Sequence, residues 1–355
     1  MTARRNRQWL LAKRPMGMVS AANFEFREVP VPAPGAGEIL VKNLYLSFDP
    51  AMRGWMEDRP SYIPPVGLGE VMRSGAVAQV IESNDESFPV GSFVTGMFGW
   101  QEYALAGRGR ATPIPQASRS EPKASEGHQE STPLTWWLGV LGITGLTAYF
   151  GMLDIGQPKP GETVVVSGAA GATGSIAAQI ARIRGARSIG IAGGAEKCAW
   201  LRDAARLDAA IDYKSEDVGA RLSALCPNGI DVFFDNVGGA ILEEVLARIA
   251  LRARIVLCGG ISGYNEKEPP PGPRNLINLV RQRGRMEGLI VIDYAARFRE
   301  ATEQLGAWAR SGELAHREDV QEGIENAPRT FLRLFSGENL GKQLLRVAAP
   351  EGGAR

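Results

Sequence analysis

The chain reads as an α/β protein of two domains, a doubly wound parallel sheet beside a smaller β-rich domain. Three observations predict this. Its 355 residues exceed what one hydrophobic core usually organises. From about residue 134, apolar β-branched runs alternate with segments of helical spacing, the signature of parallel strands covered on both faces. One of those runs, Thr163-Val-Val-Val-Ser, breaks directly into the glycine turn Gly168-Ala-Ala-Gly171-Ala-Thr-Gly174.

The elements follow in order. Residues 38–47 and 75–82 read as long strands, and 91–96 and 100–105 are shorter ones bounded by Gly. Residues 30–37, rich in Pro and Gly, are turn or extended chain. A polar stretch over 115–132 is expected as an exposed loop. An apolar helix is expected over 136–150, then strands at 163–168, 188–192, 209–213, 231–234, 254–257 and 288–292. Helices over 176–184 and 196–206 lie between the first of these. Beyond residue 300 the pattern gives an amphipathic helix and a final strand-like run, 337–347, that returns to the first domain. The expected domains are therefore 1–130 with 310–355, and 131–309.

Composition narrows the partners. A formal net charge of +1 offers nothing to nucleic acid or an anionic membrane. No apolar run reaches membrane-spanning length, and the basic N-terminus lacks the apolar core of a signal peptide. Cys198, Cys226 and Cys258 are too few and too scattered for a disulfide framework. The expected compartment is the cytoplasm.

The glycine turn suits a pyrophosphate, because a helix start presents unpaired N–H groups and partial positive charge while glycine admits close approach. A Gly-rich match alone is weak, and here the usual first glycine position is Ala169. Its setting within a strand–turn–helix–strand unit makes it a Rossmann-type dinucleotide site. Gly171, Ala172, Thr173 and Gly174 would face the phosphates. A tight strand–helix junction without ligand is the alternative. NAD-preferring folds end the second strand in a carboxylate that binds the adenosine ribose. This chain has Gly193-Gly194 there, with Lys197 on the next helix and Tyr213-Lys214 ending the third strand. A cation and a phenol can hold a 2′-phosphate, so the expected cofactor is NADPH/NADP+. Lys197 could equally be a solvated helix lysine. Two later strands end in 235-Asp-Asn-Val-Gly-Gly-239 and 258-Cys-Gly-Gly-260, where bare backbone can meet a ribose or carboxamide.

These stretches resemble the zinc-independent medium-chain dehydrogenase/reductases, and more closely the branch of prostaglandin, alkenal double-bond and curcumin reductases. The matching runs include Tyr45-Leu-Ser-Phe-Asp49-Pro-Ala-Met-Arg53, Gly142-Ile-Thr-Gly-Leu-Thr-Ala-Tyr149, Cys258-Gly-Gly-Ile-Ser-Gly-Tyr264-Asn265, Arg285-Met-Glu-Gly and Asn339-Leu-Gly-Lys342. They occur in family order from about residue 40 to the C-terminus. The resemblance implies a GroES-like catalytic domain beside the Rossmann domain and a homodimer. It also implies NADP contacts at Gly171, Gly174, Lys197, Tyr213, Asn236, Cys258, Tyr264 and Asn339, with backbone contacts from Leu289 to Val291. Gly193, Gly259 and Ile261 adjoin these and join the candidate cofactor set. The polar loop at 115–132 is longer than the family pattern.

Zinc-dependent relatives carry a cysteine and a Gly-His-Glu run near the N-terminus, plus a four-cysteine lobe. Here the local run is Val66-Gly-Leu-Gly-Glu70, and no Cys or His precedes His128. Zn²⁺ sites are built from N and S ligands with few exceptions, so no zinc is expected. Without a Lewis acid, reversible alcohol oxidation loses its usual stabiliser of an alkoxide. Reducing a carbon–carbon double bond conjugated to a carbonyl needs less: hydride at the β-carbon, a donor for the enolate oxygen and a proton at the α-carbon. The expected substrates are α,β-unsaturated ketones and aldehydes. Tyr264 is the candidate proton donor, as the resemblance implies for double-bond reductases, since an ordinary phenol stays protonated at neutral pH. A tyrosine that only packs on the cofactor is the alternative, with the ribose hydroxyl or water as donor. Tyr45 is a candidate contact of the substrate carbonyl. Asp49 and Arg53 are expected to be structural, around a short helix. Trp55, Tyr62, Met97 and Trp100 would line an apolar pocket or belong to the core. A quinone oxidoreductase and a non-catalytic NADPH-binding protein are the rival readings.

Overall fold

The computed structural model describes residues 4–115, 132–268 and 270–352. The expected polar loop lies almost wholly outside them. The chain divides into two compact units. The first takes the residues up to Leu138, Glu318–Glu338 and the chain from Lys342 onward; the second takes Gly139–Arg317 and Asn339–Gly341.

The first unit opens with β1 (Arg5–Leu11) and β2 (Phe24–Pro30), an antiparallel pair that the sequence reading missed. Charged side chains along both runs mask their alternation. Next come β3 (Glu38–Ser47), α1 (Met52–Trp55), β4 (Ala76–Ser83), β5 (Phe93–Gly96), β6 (Tyr103–Gly107) and β7 (Ala111–Pro113). The expected strand at 100–105 begins later because Trp100 turns into the core. Trp100 has no exposed surface and sits 4.9 Å from Phe24, 5.1 Å from Phe48 and 5.6 Å from Phe331 between ring centroids.

The second unit begins where a single long helix was expected over 136–150. A 3-10 turn, Leu134–Leu138, ends the first unit instead, and α2 (Ile143–Phe150) follows a glycine-rich bend and runs on as a π-helical segment, Gly151–Gly156. Gly145 permits the bend: a Cβ there would press into the Val140 carbonyl oxygen. The alternation then proceeds through β8 (Thr163–Ser167), α3 (Ala172–Ile183), β9 (Arg187–Ala192), α4 (Ala195–Asp203), β10 (Ala209–Asp212) and α5 (Val218–Leu225). It continues with β11 (Ile230–Asp235), α6 (Gly239–Leu246), β12 (Ile249–Leu257), α7 (Ile277–Gln282), β13 (Arg285–Gly288) and α8 (Phe298–Arg310).

The six strands pair in parallel in the order β10-β9-β8-β11-β12-β13. Val164, Val165 and Val166 have no exposed surface, as a strand covered on both faces requires. The strand expected at 288–292 lies earlier. Leu289 N–H still donates to Leu257 O at 3.1 Å, but from Val291 the backbone winds into a 3-10 turn.

The chain then re-enters the first unit through β14 (Glu318–Glu322), α9 (Ala327–Ser336) and β15 (Lys342–Arg346). β15 pairs antiparallel with β3, matching the expected return of the C-terminal run. Charges on β14 suit its place at the sheet edge.

Candidate functional site

In an open α/β sheet a ligand lies beyond the strand carboxyl ends, where strand order reverses. Here that point falls between β8 and β11, and a hydrogen-bonded knot occupies it. Asp235, fully buried at the end of β11, accepts from Ser167 Oγ at 2.7 Å, Val237 N–H at 3.0 Å and Gly238 N–H at 3.0 Å. Asn236 donates its N–H to Ser167 Oγ at 2.8 Å and its Nδ2 to Ser167 O at 2.7 Å. The Asp235 carbonyl also accepts from Cys258 and Gly259 N–H at 2.9 and 3.0 Å, so three strand ends are tied together. Burial pushes the Asp235 carboxyl up, and its backbone and hydroxyl donors pull the other way.

The glycine turn leaves β8 through Gly168, whose φ of +58° favours a residue without Cβ. Gly171 is the N-cap of α3 with no side-chain cap, so the first-turn N–H groups of Ala172, Thr173 and Gly174 have no acceptor within the helix. A Cβ on Gly174 would press into the Gly168 carbonyl oxygen. Gly341 closes this loop from the far end of the sequence, its N–H donating to Ala170 O at 3.0 Å beside a bridge to Gly171. Asn339 donates to Gly341 O at 3.1 Å, which places it at the same turn.

At the end of β9, Gly193 lies against the next strand. A Cβ there would stand 2.8 Å from Tyr213 Cε1 and 3.0 Å from Lys214 Cε, so the Tyr213 and Lys214 side chains pack over the position that NAD enzymes give to a carboxylate. Tyr213 is 48% exposed, and Lys197 is partly buried in the first turn of α4. The sequence reading missed Asp212. Its carboxylate accepts from Gly194 N–H at 2.7 Å, Lys214 N–H at 3.0 Å and Ser215 Oγ at 2.9 Å, which hold it below the usual carboxylate range. It braces the loop that presents Tyr213. The signal available was an acid ending an apolar strand, the same signal that marks Asp235.

Beyond β12, Gly260 N–H donates to Tyr264 Oη at 3.2 Å, so the phenol folds back over the strand end, with Gly259 beneath it. Ile261 begins the short 3-10 turn between them, its N–H on Asn236 O at 3.2 Å. Cys258 is partly buried, and burial with the nearby Asp235 pushes its thiol up to about 12, which leaves no thiolate for chemistry. Leu289 and Val291 are 7% and 8% exposed beside this strand end. The second unit thus brings together Gly171–Gly174, Gly193, Lys197, Tyr213, Asn236, Cys258, Gly259, Ile261, Tyr264, Leu289, Val291 and Asn339 along one rim of one sheet.

In the first unit, Tyr45 on β3 is 8% exposed and packs in an apolar cluster with Leu44, Val77, Leu134 and Leu138. Arg53 is 2% exposed and donates to Glu57 Oε1 at 2.8 Å and Gly17 O at 3.0 Å, a structural anchor for α1. Lys342, 3% exposed, bonds Asp49 and donates to Phe48 O at 3.2 Å. Of the four bulky pocket candidates, Trp100 belongs to the core. Trp55 donates to Tyr62 Oη at 2.8 Å, and Tyr62 and Met97 are 47% and 50% exposed. Among the described residues no three His, Cys, Asp or Glu side chains group to hold a metal ion.

The chain is similar to known oxidoreductases along its length. The family model described as the N-terminal domain of oxidoreductase matches residues 7–114, and the one described as zinc-binding dehydrogenase matches residues 172–307. An NADPH-dependent curcumin reductase of Escherichia coli (strain K12) is 42% identical over 98% of this chain and 98% of its own length. An NADP(+)-dependent 2-alkenal reductase of Nicotiana tabacum is 38% identical, covering 97% of this chain and 98% of that one. The crystal structure of CurA from Vibrio vulnificus in complex with NADPH superposes with a TM-score of 0.88 at 42% identity, over 97% of this chain and 100% of that one. With its Rossmann-type and GroES-like folds, the chain belongs to the zinc-independent medium-chain dehydrogenase/reductase family, in the branch of the curcumin, alkenal and prostaglandin reductases.

Proposed function

We propose that this protein is an NADPH-dependent reductase of the carbon–carbon double bond of α,β-unsaturated ketones and aldehydes. NADPH is the cofactor, and when bound it supplies the hydride that the β-carbon receives. The observation that carries the cofactor assignment is that β9 runs into Gly193-Gly194 with no ribose-binding carboxylate, and the Tyr213 ring and Lys214 side chain pack over that end. The first-turn amides of α3 would hold the pyrophosphate, Lys197 and Tyr213 the 2′-phosphate, and Asn236, Cys258, Leu289 and Val291 the nicotinamide half.

Tyr264 is the proposed proton donor. Its Oη, which accepts the Gly260 N–H at 3.2 Å, lies over the end of β12, where an ordinary phenol would be protonated and able to give its proton to the enolate. Tyr45 is proposed as a second contact of the carbonyl, and at 8% exposure it can offer only an edge to a ligand. Substrate reduction in the 2-alkenal and curcumin reductases that the chain resembles supports the enone class. We further propose a cytoplasmic homodimer. β13 is the edge of its sheet, and on neighbouring α7 Ile277 and Val280 are 54% and 70% exposed.

The test is NADPH oxidation across a panel of enones, enals and quinones, with Tyr264→Phe in parallel. Turnover on enones and enals, reduced at least tenfold in the variant, supports the reading. Turnover on quinones alone gives the rival reductase, and none on any acceptor gives a binding protein.

A further inference from the structure

We propose that Arg317 is a second cation of the 2′-phosphate pocket and a determinant of NADPH over NADH; this rests on the cofactor reading above. Arg317 is the last residue of the second unit before the chain crosses into β14. Its backbone is set beside the glycine turn: any side chain at Gly341 would strike the Arg317 carbonyl, and Gly341 N–H is bonded to Ala170. Its guanidinium reaches the opposite side of the same rim, where Nη2 lies 3.8 Å from Glu196 Oε1 in the first turn of α4. Lys197 is the next residue. One side chain therefore spans from the pyrophosphate turn to the helix that carries the 2′-phosphate lysine.

The charges at that helix end ask for such a residue. A phosphate monoester brings nearly two negative charges at neutral pH. Lys197 answers one, while Glu196 stands beside it and repels the ligand. Asp212, a second acid nearby, is already turned onto two backbone amides and the Ser215 hydroxyl. The Arg317–Glu196 pair is loose, with the two side chains 48% and 81% exposed, and such a pair contributes little in water. A phosphate offers the planar guanidinium a stronger partner, with two parallel hydrogen bonds in place of one distant carboxylate. Arg317 would then neutralise the second charge.

The experiment is calorimetric titration of the purified full-length protein with NADP+, NAD+, 2′,5′-ADP and 5′-ADP, in wild type, Arg317→Gln, Arg317→Lys and Lys197→Ala. Arg317→Gln should weaken NADP+ and 2′,5′-ADP about tenfold while leaving NAD+ and 5′-ADP within about twofold. Arg317→Lys should recover part of the loss, because it restores charge without the fork. Thermal midpoints of the variants report folding separately, and a fold defect would weaken all four ligands together. Equal loss for phosphorylated and unphosphorylated ligands, or no loss, overturns the proposal. If Lys197→Ala discriminates and Arg317→Gln does not, Arg317 is excluded while the NADPH reading stands. If wild type binds NADP+ and NAD+ equally, that reading itself falls.

Discussion

The Ser167 hydroxyl donates a 2.7 Å hydrogen bond to the wholly buried carboxylate of Asp235, and the two residues end the strands on either side of the sheet's reversal point. Ser167 Oγ simultaneously accepts the Asn236 N–H, so one hydroxyl fixes both the acid and the residue next to it. Removing it strips a donor from a buried carboxylate and an acceptor from a partly buried amide. Ser167→Ala should therefore cost about 1–3 kcal/mol in urea unfolding. A loss below a few tenths would show that the knot contributes nothing to the fold.

Lys342 makes a different kind of contribution. Its ammonium is 3% exposed and held by Asp49 and the Phe48 carbonyl, with Ser47 Oγ donating to Asp49 at 2.6 Å. Asp49→Asn leaves a buried cation without its counter-charge and should cost about 3–5 kcal/mol, whereas Lys342→Met leaves a carboxylate that still reaches water and should cost less. The double variant should recover part of the Asp49→Asn loss. Additive losses in chemical denaturation would show that the two side chains are not coupled.

Acid sensitivity should trace in part to His316, whose burial lowers its pKa from 6.5 to about 4. Between those values the unfolded chain binds a proton that the folded chain does not. Stability is therefore intact above about pH 6.5 and falls as pH drops toward 4, by about 3 kcal/mol at most for this one group. His316→Gln should flatten that part of the profile, read as the change in thermal midpoint from pH 7 to pH 5. A variant with the wild-type slope would place the sensitivity elsewhere.

Local features of the second unit were legible because strand hydrophobicity and glycine placement are local properties. The valines of β8 announced a buried parallel strand, and the turn after it announced the helix start. The pairing of strand ends was not legible. Ser167 and Asp235 stand 68 residues apart, and nothing local says that one will bond the other. The break in the expected 136–150 helix was missed because the close approach of Gly145 to Val140 O, which only a glycine allows, is visible only in three dimensions. Asp212 escaped for a related reason. An acid ending a strand is common, and only the fold shows it bonded to Gly194 across from the next strand. Trp100 was ambiguous between pocket and core until its three aromatic neighbours, drawn from distant segments, were in place.

The most direct test of the central claim is where the hydride goes. The protein should be supplied with NADPH deuterated at the transferable position of the nicotinamide and with an aryl enone, and the product examined by NMR. The account predicts a saturated ketone carrying one deuterium on the β-carbon, with the α-carbon taking a proton from solvent exchange. Deuterium on the carbonyl carbon, giving an allylic alcohol with its double bond intact, would contradict it.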